Sequence, residues 1–153
     1  MIAYYLPMRQ AEILNLSWEE IDLNNKFIRL GGHRTKNKTG RVIPFNQRIY
    51  NYLIRLPSPN SGGYIFKQRW WCRKEFVKAV NVAALGDFTF HDFRHCAINN
   101  LRLAGNDHFV IQQASGHKTD SAFKRYNLVT EEEMKRVKWL ENKGSKLRND
   151  GHL

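Results

Sequence analysis

The segment KFIRLGGHRTKNKTGRVIPF (residues 26–45) decides the fold class of this chain. Residues 26–30 and 41–45 are rich in β-branched and aromatic side chains, which is typical of strands. The polar stretch between them, residues 31–40, is bounded by glycines and predicts a connecting loop. A third short strand is predicted at residues 64–66. These runs predict one small, three-stranded antiparallel sheet.

The rest of the chain carries the spacing and capping signals of helices. Such signals predict helices over residues 47–56, 70–84, 91–104, 107–114, 119–126 and 130–142, preceded by a helical pattern over 11–16 and a capping box at residues 17–20. The apolar, uncapped start at Met1 indicates a first helix that is interrupted. We therefore expect a mainly helical α+β domain over residues 1–143, followed by a flexible polar tail over residues 144–153.

Composition points to a polyanionic partner. The chain has 153 residues and a net charge of +11, from 25 Lys and Arg against 14 Asp and Glu. This excess favours nucleic acid or an anionic surface, and a basic soluble protein without such a partner is the alternative. The two cysteines, Cys72 and Cys96, have no metal-ligand spacing, and neither a membrane span nor a signal peptide is indicated. We expect a cytoplasmic protein.

Five polar residues point to chemistry on phosphate, namely Arg9, His91, Arg94, His117 and Tyr126. His91 and Arg94 lie three positions apart at a predicted helix start, so both project from one face, where helical amides favour a phosphate. Arginine forks bind two phosphate oxygens at once, and a tyrosine oxygen can attack phosphorus to form a covalent phosphotyrosine. Together these residue types hold and cleave a phosphodiester without a metal.

Each of these residues also has an ordinary interpretation. A single arginine is usually a surface charge, and a single tyrosine is usually a core aromatic. His91 and His95 have the spacing of a metal pair, but no acidic or cysteine ligand is suitably placed, so no metal site is expected.

Two basic segments remain ambiguous from the residues alone. Lys36, in the loop between the first two strands, is a candidate general acid, and Lys38 is an equally placed rival. The stretch around Trp70 and Trp71 interleaves cations with aromatics and fits either a DNA-facing surface or a helix start in the core.

Taken in order, the motifs resemble the tyrosine recombinase (phage integrase) family over roughly residues 3–130. The segment LPMRQAEILNLSWEEID (residues 6–22) resembles the box around the first catalytic arginine. HDFRH (residues 91–95) resembles the His-x-x-Arg box, and SGHK (residues 115–118) with Tyr126 resembles the Gly-His and nucleophile box. Ser115 stands where leucine is more usual. KNKTGRVIP (residues 36–44) resembles the hairpin that carries the catalytic lysine, which favours Lys36 over Lys38.

The resemblance implies DNA cleavage and rejoining by a catalytic domain of this family. Arg9 and Arg94 would clamp the scissile phosphate, and His117 would donate a further hydrogen bond. His91 would act as general base or phosphate partner. Lys36 would protonate the leaving 5′-hydroxyl, and Tyr126 would form a 3′-phosphotyrosyl link.

Two acidic residues are expected to orient this set, Glu12 one turn after Arg9 and Asp92 beside His91. The family uses neither metal nor nucleotide, so no cofactor is expected. Its partner is double-stranded DNA, on which members form tetramers, and the free chain is expected to be a monomer.

Family members normally carry a core-binding domain before the catalytic one, and none fits before Met1. The isolated chain is therefore expected to bind DNA weakly. Two alternatives stay open: a non-catalytic DNA-binding remnant, and a type IB topoisomerase-like enzyme with the same chemistry.

Overall fold

The computed structural model describes residues 1–34, 40–57, 63–66, 71–117 and 131–135. Within these residues the helices are α1 (Ile2–Tyr5), α2 (Gln10–Leu14), α3 (Gln47–Leu53), α4 (Arg73–Val82), α5 (Phe90–Leu103), α6 (His108–Ser115) and α7 (Glu131–Met134). Short 3-10 turns occur at Trp18–Glu20 and Gly32–Arg34, and the strands are β1 (Ile21–Asp22), β2 (Phe27–Leu30) and β3 (Arg41–Pro44).

The strands form an antiparallel sheet in the order β1-β2-β3. Ile28 pairs with Ile43, and both side chains are fully buried, whereas Arg29 and Val42 on the opposite face are exposed. One face of the hairpin therefore packs on the core and the other faces solvent, as the alternating pattern requires. The α+β class with a small three-stranded sheet is confirmed.

The predicted position of the third strand, at residues 64–66, was wrong. Residues 64–66 form no strand, and Tyr64 makes only an isolated bridge to Ser17. Two backbone bonds join the segments, from Trp18 N–H to Gly63 O at 2.9 Å and from Ile65 N–H to Leu16 O at 2.8 Å. The chain then curls into the 3-10 turn at Trp18–Glu20, so pairing cannot continue. The third strand is instead β1, whose two residues are too few to show an alternating pattern.

Predicted helices are found where the described residues test them, with shifted ends. The helix predicted over 91–104 is α5, and the one over 107–114 is α6. The segment 70–84 contains α4, and 47–56 contains α3. The predicted helix over 119–126 lies outside the described residues, as does most of the one over 130–142.

Helix α6 has a defined start and end, which matters for the turn that follows it. The Asp107 carboxylate accepts the Phe109 N–H at 2.8 Å, and Gly116 adopts a left-handed conformation with φ of 71°. That conformation is typical of the glycine that ends a helix. The chain therefore turns sharply at Gly116 and presents His117.

The core lies between the sheet and the first three helices. Its main cluster contains Leu6, Met8, Ile13, Leu16, Ile28, Leu30, Ile43, Phe45, Ile49 and Leu53. A smaller cluster of Ile98 and Ile111, flanked by Leu101, joins α5 to α6. Helix α5 also packs on α1, and α6 packs on β3. These contacts bring the starts of α2 and α5 and the end of α6 together. Among the described helices, none has the length and apolar character that a membrane span requires.

Candidate active site

Arg9 lies at the start of α2 and points toward the turn after α6. Its backbone N–H donates to Glu12 Oε2 at 2.6 Å, and its Nη1 donates to Glu12 Oε1 at 3.0 Å. Its Nη2 donates to the carbonyl oxygen of Gly116 at 3.3 Å, a contact across 107 positions of sequence. About a quarter of the side chain (26%) is exposed, so the guanidinium is fixed at its base and reachable from solvent.

Arg94 is almost fully buried, with 3% of its surface exposed. Its Nη1 donates to the carbonyl oxygen of Pro7 at 2.9 Å, and its Nη2 donates to that of Ser115 at 2.8 Å. Nη2 also lies 3.3 Å from His117 Nε2. Arg94 therefore joins the segment before α2 to the turn after α6, and its backbone contacts hold its fork in one orientation.

His117 is held between Arg94 and Ser115. The Ser115 hydroxyl donates to the carbonyl oxygen of Gln112 at 3.0 Å and lies 2.8 Å from His117 Nδ1. Because the hydroxyl proton is directed to Gln112, we assign the Nδ1–H as donor to Ser115 Oγ, which leaves Nε2 to accept from Arg94.

The electrostatic surroundings keep His117 neutral. Burial, followed by the charges of Arg94 and Arg9, lowers the pKa of His117 to about 4. The free site is therefore strongly electropositive through its arginines alone, and any further positive charge on the imidazole is disfavoured until an anion arrives.

His91 lies one turn before Arg94 on α5. Burial, followed by the charges of His95 and Arg94, lowers the pKa of His91, and Asp92 only partly opposes this shift. The ring centroids of His91 and His95 are 4.9 Å apart. A neutral His91 can accept a proton at pH 7, which is the property that a general base needs.

Asp92 fixes the start of α5. Its carboxylate accepts the Thr89 N–H at 2.7 Å and the Thr89 hydroxyl at 2.6 Å. These two hydrogen bonds, from the hydroxyl first, lower the pKa of Asp92. Asp92 thus stabilises the first turn of the helix that carries His91 and Arg94.

Glu12 is buried beneath Arg9 and is paired with a second arginine, Arg41. Arg41 Nη1 and Nη2 donate to the two carboxylate oxygens at 2.9 and 2.7 Å, and Arg41 Nε donates to Ala114 O at 2.9 Å. Burial alone would raise the pKa of Glu12. The hydrogen bond from Arg41 and that from the Arg9 backbone outweigh burial, so the pKa of Glu12 is lowered and the residue is ionised.

Comparison with known proteins identifies the family. The family model described as "Phage integrase family" matches residues 1–133. The chain belongs to the phage integrase family. The shufflon-specific DNA recombinase of Escherichia coli is 35% identical over 130 residues, which cover 82% of this chain and 32% of that protein. The integrase of Salmonella phage P22 is 23% identical, over 78% of this chain and 35% of the relative. The chain thus spans about a third of these two relatives.

Solved structures show the same fold. The XerA recombinase matches with a TM-score of 0.65 and 18% identity, over 90% of this chain and 55% of that one. The catalytic domain of bacteriophage HP1 integrase matches with a TM-score of 0.63 and 22% identity, over 82% and 69% of the two chains. The Tn1549 transposon integrase, solved in complex with transposon right end DNA, matches with a TM-score of 0.66 and 16% identity, over 88% and 54%.

The fold of this phage integrase family chain brings together Arg9, Arg94 and His117, with His91 close enough to influence the pKa of His117. Lys36 and Tyr126 lie outside the described residues. Within the described residues, no group of three or more His, Cys, Asp or Glu side chains is arranged to hold a metal ion.

Sequence reasoning missed Arg41 as a component of the site. The signal was present, because Arg41 has the same strand phase as the buried Ile43, whereas the alternate residue Val42 is exposed. A charged residue in the buried phase of a strand requires a buried partner. Ser115 was noted only as a departure from leucine, yet its hydroxyl contacts His117.

Proposed function

We propose that this chain is the catalytic domain of a tyrosine-type site-specific DNA recombinase, with residues 1–143 forming the domain and residues 144–153 a tail. It cleaves and rejoins double-stranded DNA through a 3′-phosphotyrosyl intermediate. The observation that carries the proposal is the convergence of Arg9, Arg94 and His117. Contacts spanning 107 and 23 positions of sequence bring the three side chains to one turn.

The two arginines supply the charge that a transferring phosphoryl group needs. Arg9 and Arg94 donate to the non-bridging oxygens of the scissile phosphate, and their protein contacts hold them before DNA binds. Donors that are fixed in advance stabilise the developing charge without reorganisation at the moment of reaction. Burial, followed by the charges of Arg94 and Arg9, lowers the pKa of His117. A bound phosphate offsets those charges and so favours the protonated imidazole, which donates a hydrogen bond to the phosphate.

Proton transfer completes the reaction. Tyr126 Oη attacks phosphorus, and its proton passes to the neutral imidazole of His91. The bond between phosphorus and the 5′-oxygen breaks as Lys36 protonates that oxygen. The products are a 3′-phosphotyrosyl bond and a free 5′-hydroxyl, and the reverse sequence rejoins the strand with no outside source of energy.

DNA as partner is supported by charge and by a structural neighbour. The net charge of +11 fits a polyanion, and the Tn1549 transposon integrase was solved in complex with transposon right end DNA. A tetramer on paired DNA sites, formed from monomers, and a cytoplasmic location belong to the same proposal.

A nicked suicide substrate tests the proposal, because loss of a short fragment after cleavage traps the covalent intermediate. The purified chain should form an adduct that survives denaturation and is removed by protease digestion. Tyr126→Phe should abolish the adduct, since it removes only the attacking oxygen. Tyr50→Phe is the matched control, because Tyr50 lies on α3, outside the proposed site, and should leave the adduct unchanged.

If neither this chain nor a version fused to the core-binding domain of a relative forms an adduct, the catalytic proposal is wrong. Relaxation of supercoiled DNA of arbitrary sequence would instead indicate topoisomerase-like activity.

A further inference from the structure

We propose that Arg41 is a positioning residue of the active site, which sets the relative placement of Arg9 and the turn that carries His117. The inference rests on the proposed cleavage reaction. It concerns a residue that lies beneath the phosphate-binding side chains and does not contact the substrate itself.

The first step is the location of Arg41. It is the first residue of β3, pairs with Leu30 in the sheet, and is 8% exposed. Within the described residues, its side chain makes three hydrogen bonds, and all three leave the sheet: two go to Glu12 at the start of α2, and one goes to Ala114 at the end of α6. One rigid guanidinium therefore fixes the distance between α2, which follows Arg9, and α6, which leads into His117.

The second step is the sharing of Glu12. Its Oε1 accepts from Arg9 Nη1 and Arg41 Nη1, and its Oε2 accepts from the Arg9 backbone and Arg41 Nη2. Arg41 holds the carboxylate in the plane of its own fork. The carboxylate in turn fixes the Arg9 side chain at 3.0 Å. Loss of Arg41 would leave Glu12 held by Arg9 alone, and the orientation of both would loosen.

The third step is contact with the turn after α6. A Cβ atom at Gly116 would lie 3.1–3.2 Å from Cδ, Nε and Cζ of Arg41, so the arginine packs directly beneath this backbone. The Gly116 carbonyl oxygen accepts from Arg9 Nη2, and His117 follows at once. Arg41 is thus packed between the two groups that the reaction needs to be aligned.

The test compares single-turnover adduct formation at saturating DNA for the wild-type chain and for Arg41→Met. We expect the variant to be slower by about 10- to 100-fold, the range found when a supporting contact or about 1 Å of alignment is lost. DNA affinity should change less than threefold. Arg29→Met is the matched control, because Arg29 is on the adjacent strand with an exposed ion pair to Asp22, and its rate should equal wild type.

A methylphosphonate at the scissile position separates positioning from loss of structure. This substrate lacks the non-bridging charge that Arg9 stabilises. A misplaced Arg9 therefore costs little on it, and the defect of Arg41→Met should shrink to below threefold. An equal defect on both substrates would overturn the inference.

Two further variants keep the test decisive if Arg41→Met does not fold. Arg41→Lys keeps the charge without the fork and should remain slow. Glu12→Gln/Arg41→Met removes both buried charges, and each variant is checked for folding by near-UV circular dichroism. Recovery of the wild-type rate in the double variant would mean that Arg41 only neutralises Glu12, and the inference would be wrong.

The two proposals fail in different ways. If neither the wild-type chain nor its fusion to the core-binding domain of a relative forms an adduct on either substrate, the proposed function and this inference are both overturned. If either forms the adduct and folded Arg41→Met matches its rate, only the positioning role is overturned.

Discussion

The guanidinium of Arg94 lies 3.3 Å from Nε2 of His117, although 23 positions separate the two residues. Burial is the main cause of the low pKa of His117, and this contact explains why the charge of Arg94 comes next. The contact also means that one bound anion could contact both side chains, and its charge would stabilise the Arg94 guanidinium and a protonated His117.

Arg94→Ala should reduce DNA cleavage far more than DNA binding. In the proposed mechanism Arg94 is one fixed donor at the site of charge development, and loss of such a donor lowers the rate by about 10²–10³-fold. The measurements are single-turnover adduct formation and the dissociation constant at fixed salt. Arg102→Ala, two turns further along α5, is the control and should retain wild-type cleavage. Equal losses of binding and cleavage in Arg94→Ala would show that Arg94 only holds DNA.

Glu12→Gln should destabilise the fold by about 3–5 kcal/mol, because it leaves the buried Arg41 charge without its counter-charge. Urea unfolding followed by circular dichroism measures the free energy. Glu12→Gln/Arg41→Met should recover part of the loss, since both buried charges are then gone. Asp22→Asn, which breaks an exposed ion pair, should have a much smaller effect. Similar losses in Glu12→Gln and Asp22→Asn would contradict the buried pair.

Gly116→Ala should be more destabilising than Gly105→Ala. Both glycines end a helix with positive φ, 71° and 82°, so both variants incur the same backbone cost of about 1–2 kcal/mol. A Cβ at Gly105 meets nothing within 4 Å, whereas one at Gly116 meets Arg41 at 3.1 Å. The difference between the two unfolding free energies reports this contact. Gly116→Ala should also slow cleavage, and equal stability with unaltered cleavage would argue against tight packing there.

The stability of the chain should fall on acidification through a contribution from His117. The folded-state pKa of His117 is about 4, below its ordinary value of 6.5, so the unfolded chain binds the proton first. The contribution is absent above pH 6.5 and destabilises progressively as the pH falls from 6.5 toward 4. His117→Asn should therefore show a shallower loss of unfolding free energy between pH 7 and 4.5. Parallel curves for the two proteins would refute the shift.

Lys36→Ala should slow cleavage by about 10²–10⁴-fold, the usual contribution of a general acid. A substrate with sulfur in place of the 5′-oxygen needs no proton on its leaving group, and on it Lys36→Ala should approach the wild-type rate. Lys38→Ala, the matched control, should be nearly wild type on both substrates. Rescue of Lys38→Ala instead of Lys36→Ala would reverse the assignment.

The sequence predicted the elements with strong local signals. The β-branched and aromatic side chains of residues 26–30 and 41–45 predicted the strands that the structure shows as β2 and β3. The helices predicted over 91–104 and 107–114 end close to Gly105 and Gly116, and both glycines adopt positive φ in the structure. The strand predicted at residues 64–66 was wrong, because strand propensity is a local property, whereas pairing requires a partner strand that continues alongside. Here the partner curls away at Trp18–Glu20.

The candidate site was predictable to the extent that its residues have family-like spacing. The family-like motifs predicted four of the candidate residues, namely Arg9, His91, Arg94 and His117. The role of Arg41 was not predictable, because its partner Glu12 is distant in sequence. The contact of Ser115 with His117 was not predictable either, because motif spacing does not encode the direction of a side chain. A buried arginine needs hydrogen-bond acceptors, and only the tertiary structure shows that Glu12 and the Ala114 carbonyl oxygen supply them to Arg41.

The sequence by itself determined the main helices, the β2–β3 hairpin and the family-like motifs from which the candidate site residues are proposed, since capping, hydrophobic period and motif spacing are properties of short segments. Tertiary structure alone decided how these residues are connected. Arg9 contacts Gly116, Arg94 joins Pro7 to Ser115, and Arg41 links Glu12 to Ala114. These contacts form only when apolar burial brings α2, α5, α6 and β3 together, because hydrogen bonds between distant segments need their partners placed to within a few tenths of an ångström.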